Sequence, residues 1–163
     1  MKVIDLNLWW KPLFDQDLDH YFMRQALYES QVAASEGEVP VGAVLVHENK
    51  IVSRAHNRVI AQNDPTAHAE ILALKEACRI TKNYRLPGSV LYVTLEPCAM
   101  CLGAIVQARI SQIVFGAHDP KGGAVESIMK FPFEMTNHRV SVRSGILSEE
   151  CSQILKDFFM KRR

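Results

Sequence analysis

Phe22, Met23, Ala26, Leu27, Ala33 and Ala34 recur at the three-to-four-residue spacing of one helix face, with Asp19 ahead of them as an N-cap and Gly37 behind them as a stop. The pattern predicts a first helix over roughly residues 19–36. The rhythm then changes. "PVGAVLV" and "KIVSRAHN" are β-prone runs flanking the short polar link "HEN", which predicts an antiparallel hairpin. From Ala67 to Thr81, Leu72, Ala73, Ala77 and Ile80 mark one face while Lys75, Glu76 and Arg79 mark mainly another, and Pro65 with Thr66 supplies the start signal of a second helix. "SVLYVTL" at 89–95 is almost continuously apolar or β-prone, as a central strand covered on both faces would be. "CAMCLGAIVQA" is helical in composition and "SQIVFG" is strand-like, so Ser89 to Gly116 forms a parallel β-α-β unit with its ligand end at the C-terminal ends of the strands. The stretch from Ala117 to Arg139 has no long periodicity, and a connection of that length is more often functional than idle. A short helical turn is expected within it near Ala124 to Met129, then a last strand at "VSVRS" and a last helix from Ser148, its cap, to Met160. No internal repeat or linker interrupts the pattern, which implies one three-layered α/β domain.

Composition narrows the classes. The 163 residues suffice for one core, and no apolar run approaches the roughly 20 residues needed to cross a bilayer. The start, "MKVIDLNLWWKPLFDQDLDHYF", carries acids and no small-residue cleavage site, so a cytoplasmic protein with no membrane association is expected. In a reducing compartment the four cysteines read as metal ligands, nucleophiles or core residues rather than as a disulfide framework. A net charge of +1 lacks the basic excess of many nucleic-acid binders, so such a partner must rest on local clusters such as "MKRR".

The chemistry concentrates in "DPTAHAEILALKEA" and "LEPCAMC". Cys98 and Cys101, at i and i+3, share one face in a helix's first turn, where unpaired N–H groups and the dipole favour thiolate. His68 and Glu70 would diverge by about 200° around a long helix, but in a first turn both can lean over the helix end. If the two helix ends converge, one imidazole and two thiolates make a soft set suited to Zn²⁺. His20, His47, His56, His118, His138, Cys78 and Cys151 are the candidates for a fourth ligand, and none has a partner at metal-ligand spacing. With three ligands a position stays open for water, and Glu70 stands nearby as a proton acceptor. Cys78 and Cys151 read instead as small core residues.

"HAE" followed by "PCAMC" resembles the H-x-E and P-C-x-x-C signature of zinc-dependent deaminases. Together with "EVPVGAVLV", "HNR", "DPTAHAEILALK", "NYRLPGSVLYVTLEPCAMC", "GAIVQARI", "VFGAHDPKGG" and "NHRV", residues 19–163 are similar to the bacterial tRNA-specific adenosine deaminases of the cytidine/deoxycytidylate deaminase superfamily. The resemblance implies a three-layer α-β-α cytidine-deaminase-like fold, with a mixed five-stranded sheet flanked by helices, acting as a homodimer. It implies one zinc per subunit on His68, Cys98 and Cys101, with no organic cofactor. The implied reaction is hydrolytic deamination of the wobble adenosine of a tRNA anticodon stem-loop to inosine, a zinc-bound hydroxide attacking C6 while Glu70 shuttles protons. By the same resemblance Asn57 hydrogen-bonds the target base, Val39 lies against it, and Asp119 sits beside the sugar. Phe158, Phe159, Arg162 and Arg163 would contact RNA from the last helix. Residues 1–18 form an extension outside the match, and Trp9 and Trp10 receive no role.

Three rival readings stand beside this one. A deaminase of a free base or nucleoside shares the zinc chemistry, although the long loop and the "DFF" with "RR" ending favour RNA. A zinc that only staples two helices would show a fourth protein ligand. A thiol-redox pair fits C-x-x-C after a strand but leaves His68 and Glu70 unused.

Overall fold

The computed structural model describes the backbone of residues 7–162 and the side chains of residues 18–162. Its centre is a five-stranded sheet in the order β2-β1-β3-β4-β5. The strands are β1 (Gly42–His47), β2 (Lys50–His56), β3 (Ser89–Leu95), β4 (Gln112–Ala117) and β5 (Ser141–Ser144). β1 pairs antiparallel with β2 and β3, whereas β3, β4 and β5 run parallel. The hairpin turns on Glu48 and Asn49, both at positive φ (48° and 58°), the conformation that matches the twist of the flanking strands.

The position of β3 explains its unbroken apolar sequence. Leu91 and Val93 point into the core beneath α3 (Ala69–Thr81) and α4 (Ala99–Gln107), joining Leu45, Leu102, Ile105 and Phe115. Tyr92 points the other way, under α1 (Asn7–Ser35) and α5 (Ser148–Met160), where Phe22, Met23, Val44 and Val114 bury. Each fully buried side chain of this size contributes about 1.5–3 kcal/mol. The result is the expected three-layer α-β-α fold with a mixed sheet. Cys151 belongs to the α1/α5 core, as expected, and a Cβ on Gly116 would collide with its sulfur.

Several boundaries differ from the expectations. The helix α1 is already formed at Asn7, the first described residue, and Asp19 lies well inside it rather than capping it. Asp19 is buried and accepts a hydrogen bond from the Tyr92 hydroxyl at 2.7 Å as well as one from Arg143, so its partners come from β3 and β5. Leu147, at φ 52°, is the N-cap of α5, which makes Ser148 the first helical residue. Residues 124–127 form turns, and the helical piece of the long connection is a 3-10 helix at Phe133–Met135. A short helix, α2 (Val59–Gln62), follows β2 and had no signal in the periodicity. Among the described residues, no helix is long and apolar enough to cross a membrane.

Candidate active site

The site forms where the N-termini of α3 and α4 meet beyond the end of β3. Ahead of α3, Asp64 accepts hydrogen bonds from the Thr66 N–H (2.8 Å) and hydroxyl (2.7 Å), a turn that sets the direction in which the chain enters the helix. His68 and Cys98 occupy the N-cap positions of their helices in extended conformation, and neither side chain caps its own helix. Both are therefore free to turn toward each other. His68 Nδ1 lies 3.7 Å from Cys98 Sγ and 3.6 Å from Cys101 Sγ. A tetrahedral zinc with ordinary Zn–N and Zn–S bonds separates such ligands by about 3.6 Å, so the three residues fit that ion. Among the described residues, they are the group of three that could hold a metal ion. His56 instead faces Glu29 and Glu36, His118 pairs with Glu126, and His138 bonds the Ile110 carbonyl.

The three groups perturb one another's proton affinity. Hydrogen bonding from Cys101, and then from His68, draws the Cys98 thiol down to about 4, while that thiolate and burial push the Cys101 thiol far up. The Cys98 thiolate also raises His68. Glu70, in the first turn of α3, is 3% exposed, and its Oε2 has no hydrogen-bond partner within the protein. Burial pushes its carboxyl up to about 7.

A cavity of about 350 Å³ opens over these groups, lined in part by His68, Glu70, Cys98, Val39, Asn57 and Asp119. Val39 and Asp119 are half-buried at its edge. At Asn57, Oδ1 accepts the Ala69 N–H at 2.8 Å, so the amide pins the start of α3 while its NH₂ remains to donate to a ligand. Asp119 accepts the Lys121 N–H on Oδ1 at 2.9 Å and keeps its second oxygen available. The C-terminal residues do not line the cavity. Phe158 is buried with the Arg162 guanidinium 4.2 Å from its ring centre, and Arg162 also donates to the Gly37 carbonyl. That pair closes the fold around α5, and Phe158 offers no free face to a base. Phe159 is 50% exposed and does. Arg163 lies outside the described residues.

Two buried carboxylates of the cavity wall were missed by the sequence reading. Glu38 accepts from the N–H groups of Ile60 (3.2 Å) and Ala61 (2.7 Å), holding α2 against the cavity. Glu96 gathers the loop after β4. Burial alone would raise its carboxyl, yet hydrogen bonds from Glu126, Ser127 and Asp119 hold it below the ordinary range. Their one sequence signal is a lone acid beside an apolar strand, as in "LEPC" and "EVPVG".

An α-β-α sandwich with an imidazole, two thiols and a protonatable carboxyl at the strand ends defines a deaminase, and the MafB19-like deaminase family model matches residues 17–163. The tRNA-specific adenosine deaminase of Haemophilus influenzae is 51% identical over 150 residues, covering 90% of this chain and 86% of that protein. That of Bacillus subtilis is 47% identical over 146 residues, covering 89% and 91%. A solved structure from work on A-to-I editing by tRNA:A34 deaminases at the wobble position of transfer RNA matches with a TM-score of 0.80 and 48% identity, covering 83% of this chain and 99% of that one. This chain belongs to the tRNA-specific adenosine deaminase family, whose members are hydrolases acting on a C–N bond.

Proposed function

We propose that the protein converts the wobble adenosine of a tRNA anticodon to inosine, releasing ammonia, with zinc held by His68, Cys98 and Cys101 and with Glu70 as the proton carrier. The observation that carries this reading is the convergence of those three ligands beside a buried carboxyl with an unpartnered oxygen. When bound, zinc supplies the Lewis acidity that brings the pKa of a water down toward about 7. Glu70 takes the water's proton and delivers it to adenine N1 as the water oxygen bonds to C6; the proton left on that oxygen then passes by way of the same carboxylate to the amino group, the C6–N bond breaks and ammonia leaves. The Asn57 NH₂ donates to an acceptor on the purine edge, and Val39 packs against the base. The free oxygen of Asp119 accepts from a ribose 2′-hydroxyl, which favours RNA over DNA. Phe159, with Arg163 beyond the described residues, is the remaining candidate for contact outside the cavity. A homodimer completes the reading.

The test is inosine formation in an anticodon stem-loop bearing a wobble adenosine, assayed beside free adenosine, cytidine and guanine. Conversion of the stem-loop is the expected result. Turnover of a free nucleoside or base with the RNA untouched would overturn the substrate assignment.

A further inference from the structure

Glu96 stands between the end of β3 and the ligand Cys98, is 2% exposed, and lines the cavity without facing solvent. Its Oε1 accepts three backbone N–H groups, those of Val125 (3.0 Å), Glu126 (2.7 Å) and Ser127 (3.0 Å). Its Oε2 accepts the Asp119 N–H at 3.0 Å and the Ser127 hydroxyl. Both ends of the 119–127 loop are therefore tied to one carboxylate. The next residue adds to the tie, since the Pro97 carbonyl accepts the Ala124 N–H at 2.9 Å. The loop is folded around this anion, because a Cβ on Gly123 would collide with the Glu96 carboxyl. Four backbone donors and a hydroxyl converging on one buried side chain form a rigid mount.

We infer that Glu96 is a positioning residue for the reaction: its carboxylate fixes the 119–127 loop beside the cavity and holds Asp119, which lines it, at the place where the ribose binds. The inference rests on the substrate role proposed for Asp119. Geometry specifies what a neutral replacement does. In Glu96→Gln one acceptor oxygen becomes an NH₂. Turned toward Oε1's place it meets three N–H donors, and turned toward Oε2's place it meets one N–H and a hydroxyl that can rotate to accept. The second orientation is favoured, and the contact it breaks is the one to Asp119.

The experiment measures kcat and KM for the stem-loop in Glu96→Gln, Asp119→Ala and the double variant, with zinc content determined for each. Glu96→Gln is expected to keep its zinc and raise KM about tenfold, with kcat changed far less. In the Asp119→Ala background the same substitution is expected to change KM by less than about threefold, because its effect passes through Asp119. An unchanged KM, or full and additive losses in both backgrounds, would overturn the inference. Should Glu96→Gln lose its zinc or fold, Ser127→Ala, which removes only the hydroxyl, takes its place. A smaller rise in KM that vanishes in the Asp119→Ala background supports the mount, and an additive or absent effect overturns it. Wild-type protein that leaves the stem-loop untouched would instead refute the substrate reading.

Discussion

The first turn of α3 and the end of β3 each place a glutamate against the same cavity, Glu70 at 3% and Glu96 at 2% exposure, and the two carboxyls have opposite proton affinities. Glu70 has an oxygen with no donor, so burial dominates and its carboxyl rises to about 7. Glu96 is equally buried, but converging N–H groups outweigh burial and keep it an anion. Depth alone decides neither case. The supply of donors does, and it separates a group that can exchange a proton with a ligand from one that can only hold a loop.

The largest expected effect comes from removing a ligand of the proposed zinc. His68→Ala should bring metal content from near one per chain to background and abolish inosine formation, read by metal analysis and by the stem-loop assay. Retained metal and activity would break the assignment of that set.

Acid–base linkage sharpens the comparison next. In metal-free protein, the folded state holds the Glu70 proton more tightly than the unfolded state between pH 4.5 and about 7. The Glu70 contribution to stability should therefore fall by roughly 3 kcal/mol as pH rises through that window, against the rise contributed by the lowered Cys98 thiol. Glu70→Gln should remove the fall, a difference that denaturant melts at pH 5 and pH 8 would show. Parallel pH profiles for the two proteins would mean that Glu70 is not held protonated by burial.

The smallest effects probe the Glu96 mount through its glycine. Gly123→Ala should lower stability by about 1–3 kcal/mol, since the new methyl meets the carboxylate. Gly103→Ala, inside α4 with nothing within 4 Å of the added Cβ, should raise it by about 0.5–1 kcal/mol. Thermal melts of the two proteins should shift in opposite directions.

The legible parts of this chain were those written locally. The apolar run of β3 and the polar link "HEN" each predict their own element without reference to distant residues, and so does the spacing of α3, although its buried face carries Ile71, Ala73, Leu74 and Ala77 while Ile80 is exposed. The spacing of Cys98 and Cys101 gave the thiol pair, and the structure brings His68 to it because His68 is an N-cap outside the helical run. What was misread depends on partners far along the chain. Asp19 resembled a cap because its true partners, Tyr92 and Arg143, lie on strands remote in sequence. Glu96 passed as part of a motif because its five donors belong to a loop that periodicity cannot fold. The bond from the Ala69 N–H to Asn57 likewise had no local signal, since it joins residues on either side of α2.

The most direct test of the account is the turnover of Glu70→Gln protein carrying its full metal. The substitution keeps the shape of the side chain and leaves His68, Cys98 and Cys101 in place. Inosine formation should fall by about 10²–10⁴-fold with metal content unchanged, as expected when a proton carrier is lost from an intact site. Turnover at the wild-type rate in that protein would contradict the central role assigned to Glu70.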